Sequence, residues 1–184
     1  TWLVMHRERP TRIAARTALW EVSIEDSTFN NVVSGVRKVI NQNGRNLLER
    51  ENNEVFKVGP EVITDVEILQ AAIEKVKLKG GDDEFLDLRE ALELVRDLPF
   101  AGENFVWADT EGITSNIVLT IITGALLLSD FYMSKQDLSG VFWATGQGLK
   151  ARRGHEELIA LRMRAHAQER NISGINSEWL AYER

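Results

Sequence analysis

The sequence predicts a mainly α fold in two parts: three helices and a β-hairpin over residues 1–62, then an α-helical bundle over residues 63–184. Three observations carry this. Apolar residues recur at the i, i+3, i+4, i+7 spacing of amphipathic helices through most of the 184 residues. One short stretch, residues 46–58, alternates apolar and polar residues with the period of a strand. The charge also divides, with nine Lys/Arg against seven Asp/Glu in residues 1–60 and 13 against 21 in the remainder. A chain of this length that is 43% hydrophobic buries a sizeable core. A basic front and an acidic back suit a module facing DNA or another partner, joined to an interaction module.

In chain order, "WLVMH" is the end of an apolar helix. Pro10-Thr11 start and cap a second helix, "RPTRIAARTALW". In "EVSIEDSTFNNVVSGVRKVI" the expected N-cap is Asp26 or Ser27, and Phe29, Val32, Val33, Val36 and Ile40 form one apolar face. Ser27, Asn30, Asn31, Ser34, Arg37 and Lys38 form the opposite face. After "NQNGR" the inward residues are Leu48, Val55 and Val58, and "ENNE" supplies a tight hairpin turn. A helix followed by such a hairpin is either a recognition helix and wing shaped for a DNA groove, or a small α+β corner with a solvated polar face.

From "PEVITD" onward the period is helical. "TDVEILQAAIEKVKLK" is capped by Thr64 or Asp65 and ends at Gly80-Gly81; "DDEFLDLREALELVRD" is capped by Asp82 or Asp83 and ends before Pro99. "LPFAGENFVWADTEG" reads as an ordered loop pinned by Phe100, Phe105 and Trp107. Four further helices are expected, at roughly 110–133, 135–150, 155–170 and 172–182. Paired helices about 35 residues apart match tandem helical-hairpin repeats, with Ala144, Gly148 and Ala165 as the small residues at the crossings. The aromatic residues Trp107, Phe131, Tyr132, Phe142, Trp143 and Trp179 either line a concave groove for a partner helix or form core.

No enzyme chemistry is legible. His6, His155 and His166 lie far apart, and "HEELI" lacks the second His of a zinc helix. "TGQGL" has no preceding strand and no following Lys-Ser/Thr, so it is not a phosphate loop. There is no Cys, no Gly-x-Ser-x-Gly and no recognisable catalytic carboxylate pair. The expectation is a non-enzymatic protein with no cofactor and no metal site, and the absence of Cys fits a reducing compartment, the cytoplasm. The run Ile117–Leu128 is shorter than a membrane span and reads as a buried core helix, so no membrane contact is expected. The opening "TWLVMHRERP" begins mid-pattern, as a piece of a longer chain would.

The runs "RPTRIAARTALWE", "STFNNVVSGVRKVI", "LLERENNEVFKVGPEVITDVEIL", "LVRDLPFAG", "FVWADTEG" and "WATGQGLKARRGHEELIALRMRAHAQERN" occur in one order. That order resembles actinobacterial antibiotic-regulatory (SARP-like) transcriptional activators. In that family an OmpR/PhoB-type winged helix precedes a bacterial transcriptional activator domain with tetratricopeptide-like packing. The resemblance implies a partial winged helix, three helices plus a β-hairpin wing, lacking the N-terminal strands. It implies that the third helix enters the DNA major groove through Ser27, Thr28, Asn30, Asn31, Ser34, Arg37 and Lys38, with Asn52 and Asn53 at the wing tip. The helical domain then mediates homodimerisation or contact with RNA polymerase or another protein. The competing expectation is a protein-interaction scaffold whose winged helix no longer binds DNA, which the acidic wing residues Glu49, Glu51 and Glu54 favour.

Overall fold

The computed structural model describes residues 1–8, 10–20, 23–41, 46–50, 54–102 and 105–183. Among them the chain is mainly helical, with ten helices and one two-stranded antiparallel hairpin. It divides into two compact units: residues 1–64 together with 104–107, and residues 65–103 together with 108–184.

In the first unit, α1 (Trp2–Met5) precedes α2 (Arg12–Leu19), which is capped as expected: Thr11 Oγ1 accepts from the Ala14 N–H at 3.2 Å. The third helix, α3 (Asp26–Ile40), is followed by the hairpin of β1 (Leu48–Arg50) and β2 (Phe56–Val58), with Leu48 opposite Val58 and Arg50 opposite Phe56. The extended residues before α2 join this hairpin. The Phe56 N–H donates to the Pro10 carbonyl at 3.0 Å, and the Arg12 N–H donates to the Glu54 carbonyl at 2.7 Å. Trp2, Ala15, Phe29, Leu48 and Phe56 form the buried core of this unit. Phe56, next to Val55 and therefore on the other side of the strand, takes the inward place expected of Val55, which is half-buried and bridges Thr11.

In the second unit α4 (Asp65–Lys79) and α5 (Asp82–Glu93) pair antiparallel around the turn at Gly80, whose φ of +65° ends α4. Helix α5 stops well before Pro99. Its last turn tightens, with the Leu94 and Val95 N–H groups donating to the Ala91 and Leu92 carbonyls, and Lys150 Nζ donates to the Val95 carbonyl at 3.1 Å. The expected loop after Pro99 contains a short helix, α6 (Val106–Thr110). Then α7 (Ile113–Ser134), α8 (Leu138–Ala151), α9 (Glu156–Gln168) and α10 (Ile172–Tyr182) follow.

Helix α7 is the spine of this unit and packs on α4, α5, α8 and α9. It outgrows the apolar run Ile117–Leu128 at both ends, and by length and composition its 22 residues are enough to cross a bilayer. Ile117, Ile121, Ile122, Ala125 and Leu128 are buried among the neighbouring helices, so it serves here as the core helix. The connections α7–α8 and α9–α10 are the same turn, 34 residues apart. Gln136 and Arg170 are both left-handed, at φ of 58° and 57°, and the Asp137 and Asn171 N–H groups reach back to the Tyr132 and His166 carbonyls. The Asp137 and Asn171 side chains then cap the next helices by accepting from the Gly140 and Gly174 N–H groups, both at 2.9 Å. A Cβ on either glycine would fall 2.5 Å from the ring of Tyr132 or His166.

Ala144, Gly148 and Ala165 are buried at these helix crossings. A Cβ on Gly148 would lie 2.5 Å from Leu158 Cδ1 and 2.9 Å from the Ala125 Cβ, whereas one on Gly146 would meet nothing within 4 Å. Gly148→Val is therefore expected to destabilise the bundle by about 1–3 kcal/mol through overpacking, while Gly146→Ala stabilises it by about 0.5–1 kcal/mol. Urea unfolding followed by circular dichroism checks both; equal effects at the two positions would contradict this close approach.

Candidate nucleic-acid interface

At about 100° per residue α3 presents an inward line, an outermost ridge and two shoulders. The inward line is Phe29, Val33 and Arg37: Phe29 is buried and the other two are half-buried. The outermost ridge is Thr28, Asn31, Gly35 and Lys38, all exposed. Ser27, Asn30 and Ser34 lie exposed on one shoulder of that ridge, and Val32, Val36 and Val39 lie exposed on the other.

This arrangement corrects two readings of the sequence. The apolar face expected to be buried through Val32, Val36 and Ile40 is open at those residues, 44%, 40% and 39% exposed. Phe29 is the only fully buried residue of α3. Arg37, expected on the polar face, turns to the hairpin, and its Nε–H donates to the Leu48 carbonyl at 3.2 Å. The remaining helix candidates, Ser27, Thr28, Asn30, Asn31, Ser34 and Lys38, share the open side. Asn52 and Asn53 lie outside the described residues.

Polar clasps fasten α3 at both ends. At its start Arg16 forms an ion pair with Asp26 and also donates to the Ile24 carbonyl. Asp26 is thereby the first helical residue rather than the cap; Glu25 is the N-cap, without a side-chain cap bond. Arg12, one turn before Arg16 on α2, lays its guanidinium over the Phe29 ring at 4.9 Å and the Phe56 ring at 5.5 Å, and donates to Asn30 Oδ1. At its end Asn41 acts like a strand partner to Leu48: its Nδ2–H donates to the Leu48 carbonyl at 3.0 Å, and its Oδ1 accepts from the Leu48 N–H at 2.9 Å. Sequence reasoning missed Arg12, Arg16 and Asn41. The only signal available was the i, i+4 arginine pair on a helix whose neighbour opens with an acid.

The electrostatics of the open side follow from these clasps. Arg12, Arg16 and Arg37 are engaged internally, Asp26 is neutralised by Arg16, and Lys38 remains exposed in the last turn of the ridge. On the hairpin Lys57 is exposed and sits across the ladder from Glu49. The face offers amide and hydroxyl groups, three valines, one ammonium and a glycine. It has the hydrogen-bonding and apolar groups that read base edges, and little that would perform acid–base chemistry.

The other sequence candidates pack within their own units. Trp107 is buried against His6 in the first unit, with ring centroids 5.8 Å apart. In the second unit Phe131 stacks on Phe85 at 4.1 Å, Arg89 covers the Trp143 ring at 4.5 Å and donates to the Tyr132 hydroxyl at 2.9 Å, and Phe142 lies against His166 at 4.5 Å. Trp179 is exposed on α10 with Ile172 and Leu180. His166 sits between Glu169 and Glu178, each 3.7 Å away, beside the Arg162–Glu178 ion pair at 2.7 Å that ties α9 to α10.

Comparison with protein-family models, with curated proteins and with solved structures gives no match.

The clasps make a stability prediction. Asn41→Ala leaves the buried Leu48 backbone without its side-chain partner and is expected to lower the stability of the first unit by about 1–3 kcal/mol. Arg12→Ala removes two cation–π contacts and a hydrogen bond and is expected to act to a similar extent, about 1–3 kcal/mol. Hydrogen exchange of the α3 amides in each variant is the measurement, and undiminished protection would contradict the clasp.

Proposed function

We propose that the chain is a transcriptional regulator that binds duplex DNA through α3 and the adjoining hairpin, with the helical bundle mediating self-association or contact with the transcription machinery. The observation carrying this reading is the α3 face itself: a continuous, exposed ridge of Thr28, Asn31, Gly35 and Lys38 on a helix clasped at both ends. A helix so held presents its side chains to a groove with little freedom left to lose on binding. The extended Pro10-Thr11 stretch pairing with the hairpin, and the order helix, helix, helix, hairpin, support a partial winged helix. The 34-residue recurrence of the α7–α8 and α9–α10 turns supports tetratricopeptide-like packing in the bundle.

A second reading has its own observation. Ile172, Trp179 and Leu180 are exposed on α10, none of whose residues is buried. An apolar outer face on the last described helix suits a protein partner and fits a scaffold that makes no use of DNA.

Salt separates the two readings. Groove binding is expected to weaken as salt rises, with log Kd linear in log salt, whereas an apolar protein contact is nearly indifferent. Lys38→Ala is expected to weaken binding to all duplexes alike and to reduce the salt slope by about one. Arg37→Ala is expected to act on stability instead, since its guanidinium faces the hairpin. Titration of the intact chain with labelled duplex at several salt concentrations checks this. No salt-sensitive binding at low salt would leave the scaffold reading.

A further inference from the structure

Gly35 has no reason in the fold. It sits in the middle of α3, its φ is not positive, and a Cβ placed on it would meet nothing within 4 Å. A mid-helix glycine weakens a helix relative to alanine, and where no turn or packing neighbour requires it, its remaining use is to let another molecule approach the backbone. Gly35 lies on the outermost ridge, between Asn31 and Lys38, where an approaching surface touches first.

The groups around it select what that surface is. Asn31 is exposed on the ridge, and a carboxamide pairs with both N6 and N7 of adenine in the major groove. Val32 and Val39 flank Gly35 on the apolar shoulder, and Val39 is 68% exposed. Branched aliphatic side chains there suit the C5 methyl that only thymine presents in that groove. Arginine is the commonest reader of guanine, and the arginine of this helix is turned to the Leu48 carbonyl. Lys38 puts one exposed ammonium at the end of the ridge, a group that pairs with a backbone phosphate.

Resting on the DNA-binding reading above, we infer that α3 seats with Gly35 at the point of closest approach and reads A·T base pairs, Asn31 taking adenine while Val32 and Val39 cover thymine methyl groups. The valine shoulder left uncovered by the fold is then part of the reading surface, and Lys38 serves at the end of the ridge.

The experiment selects duplexes from a random pool with the intact chain at low and moderate salt. The enriched duplex is then titrated with thymidine replaced by deoxyuridine, which removes only the C5 methyl. Expected are A·T-centred sites and a loss of about tenfold on deoxyuridine substitution, the size of one good base contact. That loss is expected to vanish in the Val32→Ala/Val39→Ala variant, whose exposed substitutions leave the fold intact. Gly35→Ala is expected to raise the melting temperature yet weaken binding about tenfold or more. Enrichment of G·C-centred sites, indifference to deoxyuridine, or a Gly35→Ala variant that gains stability at unchanged affinity would overturn this inference and leave DNA binding standing. Absence of salt-sensitive binding to any duplex would overturn both.

Discussion

The position of α3 depends on three arginines that point inward. Arg12 covers Phe29 and Phe56, Arg16 holds Asp26 and the Ile24 carbonyl, and Arg37 reaches the Leu48 carbonyl. A unit of about 64 residues buries too little apolar surface to fix a helix by packing alone, and Phe29 is the one side chain of α3 that is fully buried. Guanidinium groups make up the difference because their stems cover apolar surface while their planar heads stack on rings and donate several hydrogen bonds at once. The helix is thus held by directional contacts at its two ends. On the side turned away from them, Thr28, Asn31, Gly35 and Lys38 stay exposed.

The helical unit solves the opposite problem. Helix α7 has more apolar surface than one partner covers, so α4, α5, α8 and α9 gather around it. Close approach needs small residues at the crossings, and Gly148 between Leu158 and Ala125 is where any larger side chain would collide. The repeated turn sets the spacing. Tyr132 and His166 each lie over a glycine one turn into the next helix, so a ring on one helix fits a gap on its neighbour in both hairpins. Apolar surface remains on α10, where no following helix among the described residues repeats the α8–α9 contact.

Element types were legible in the sequence wherever a periodic apolar pattern coincided with local stop signals. Gly80-Gly81 ended α4, Thr11 capped α2, and the apolar run at 117–128 marked the core helix. Helix α5 ends before Pro99 as expected but several residues short of it, where no breaker residue stands, and Lys150, 55 residues beyond Val95, bonds the Val95 carbonyl just past its end. Burial on α3 was misread for a related reason. Amphipathic spacing locates the apolar stripe of a helix but does not say how many residues the neighbours cover, and here an arginine and an asparagine fill the contact beside Phe29. Arg37 and Lys38 are adjacent cations in sequence and about 100° apart on the helix, so one turned inward and the other outward. Only the fold separates those roles.

Using arginines as clasps has a consequence for affinity if DNA is the partner. Among the described side chains of the first unit, which do not include Arg9, Arg45 and Arg50, the exposed cations are Lys38 and Lys57. Each neutralised phosphate contributes roughly one unit to the salt slope, and sites with few such contacts bind weakly at physiological salt. The described part of this surface has amide and apolar groups but few exposed cations. Joining two copies makes the second contact intramolecular and multiplies affinity by roughly 10²–10⁴ without any new contact. On this reading self-association through the helical unit is what raises a weak reader to useful affinity, and a free apolar face on α10 is the kind of feature that such an assembly requires.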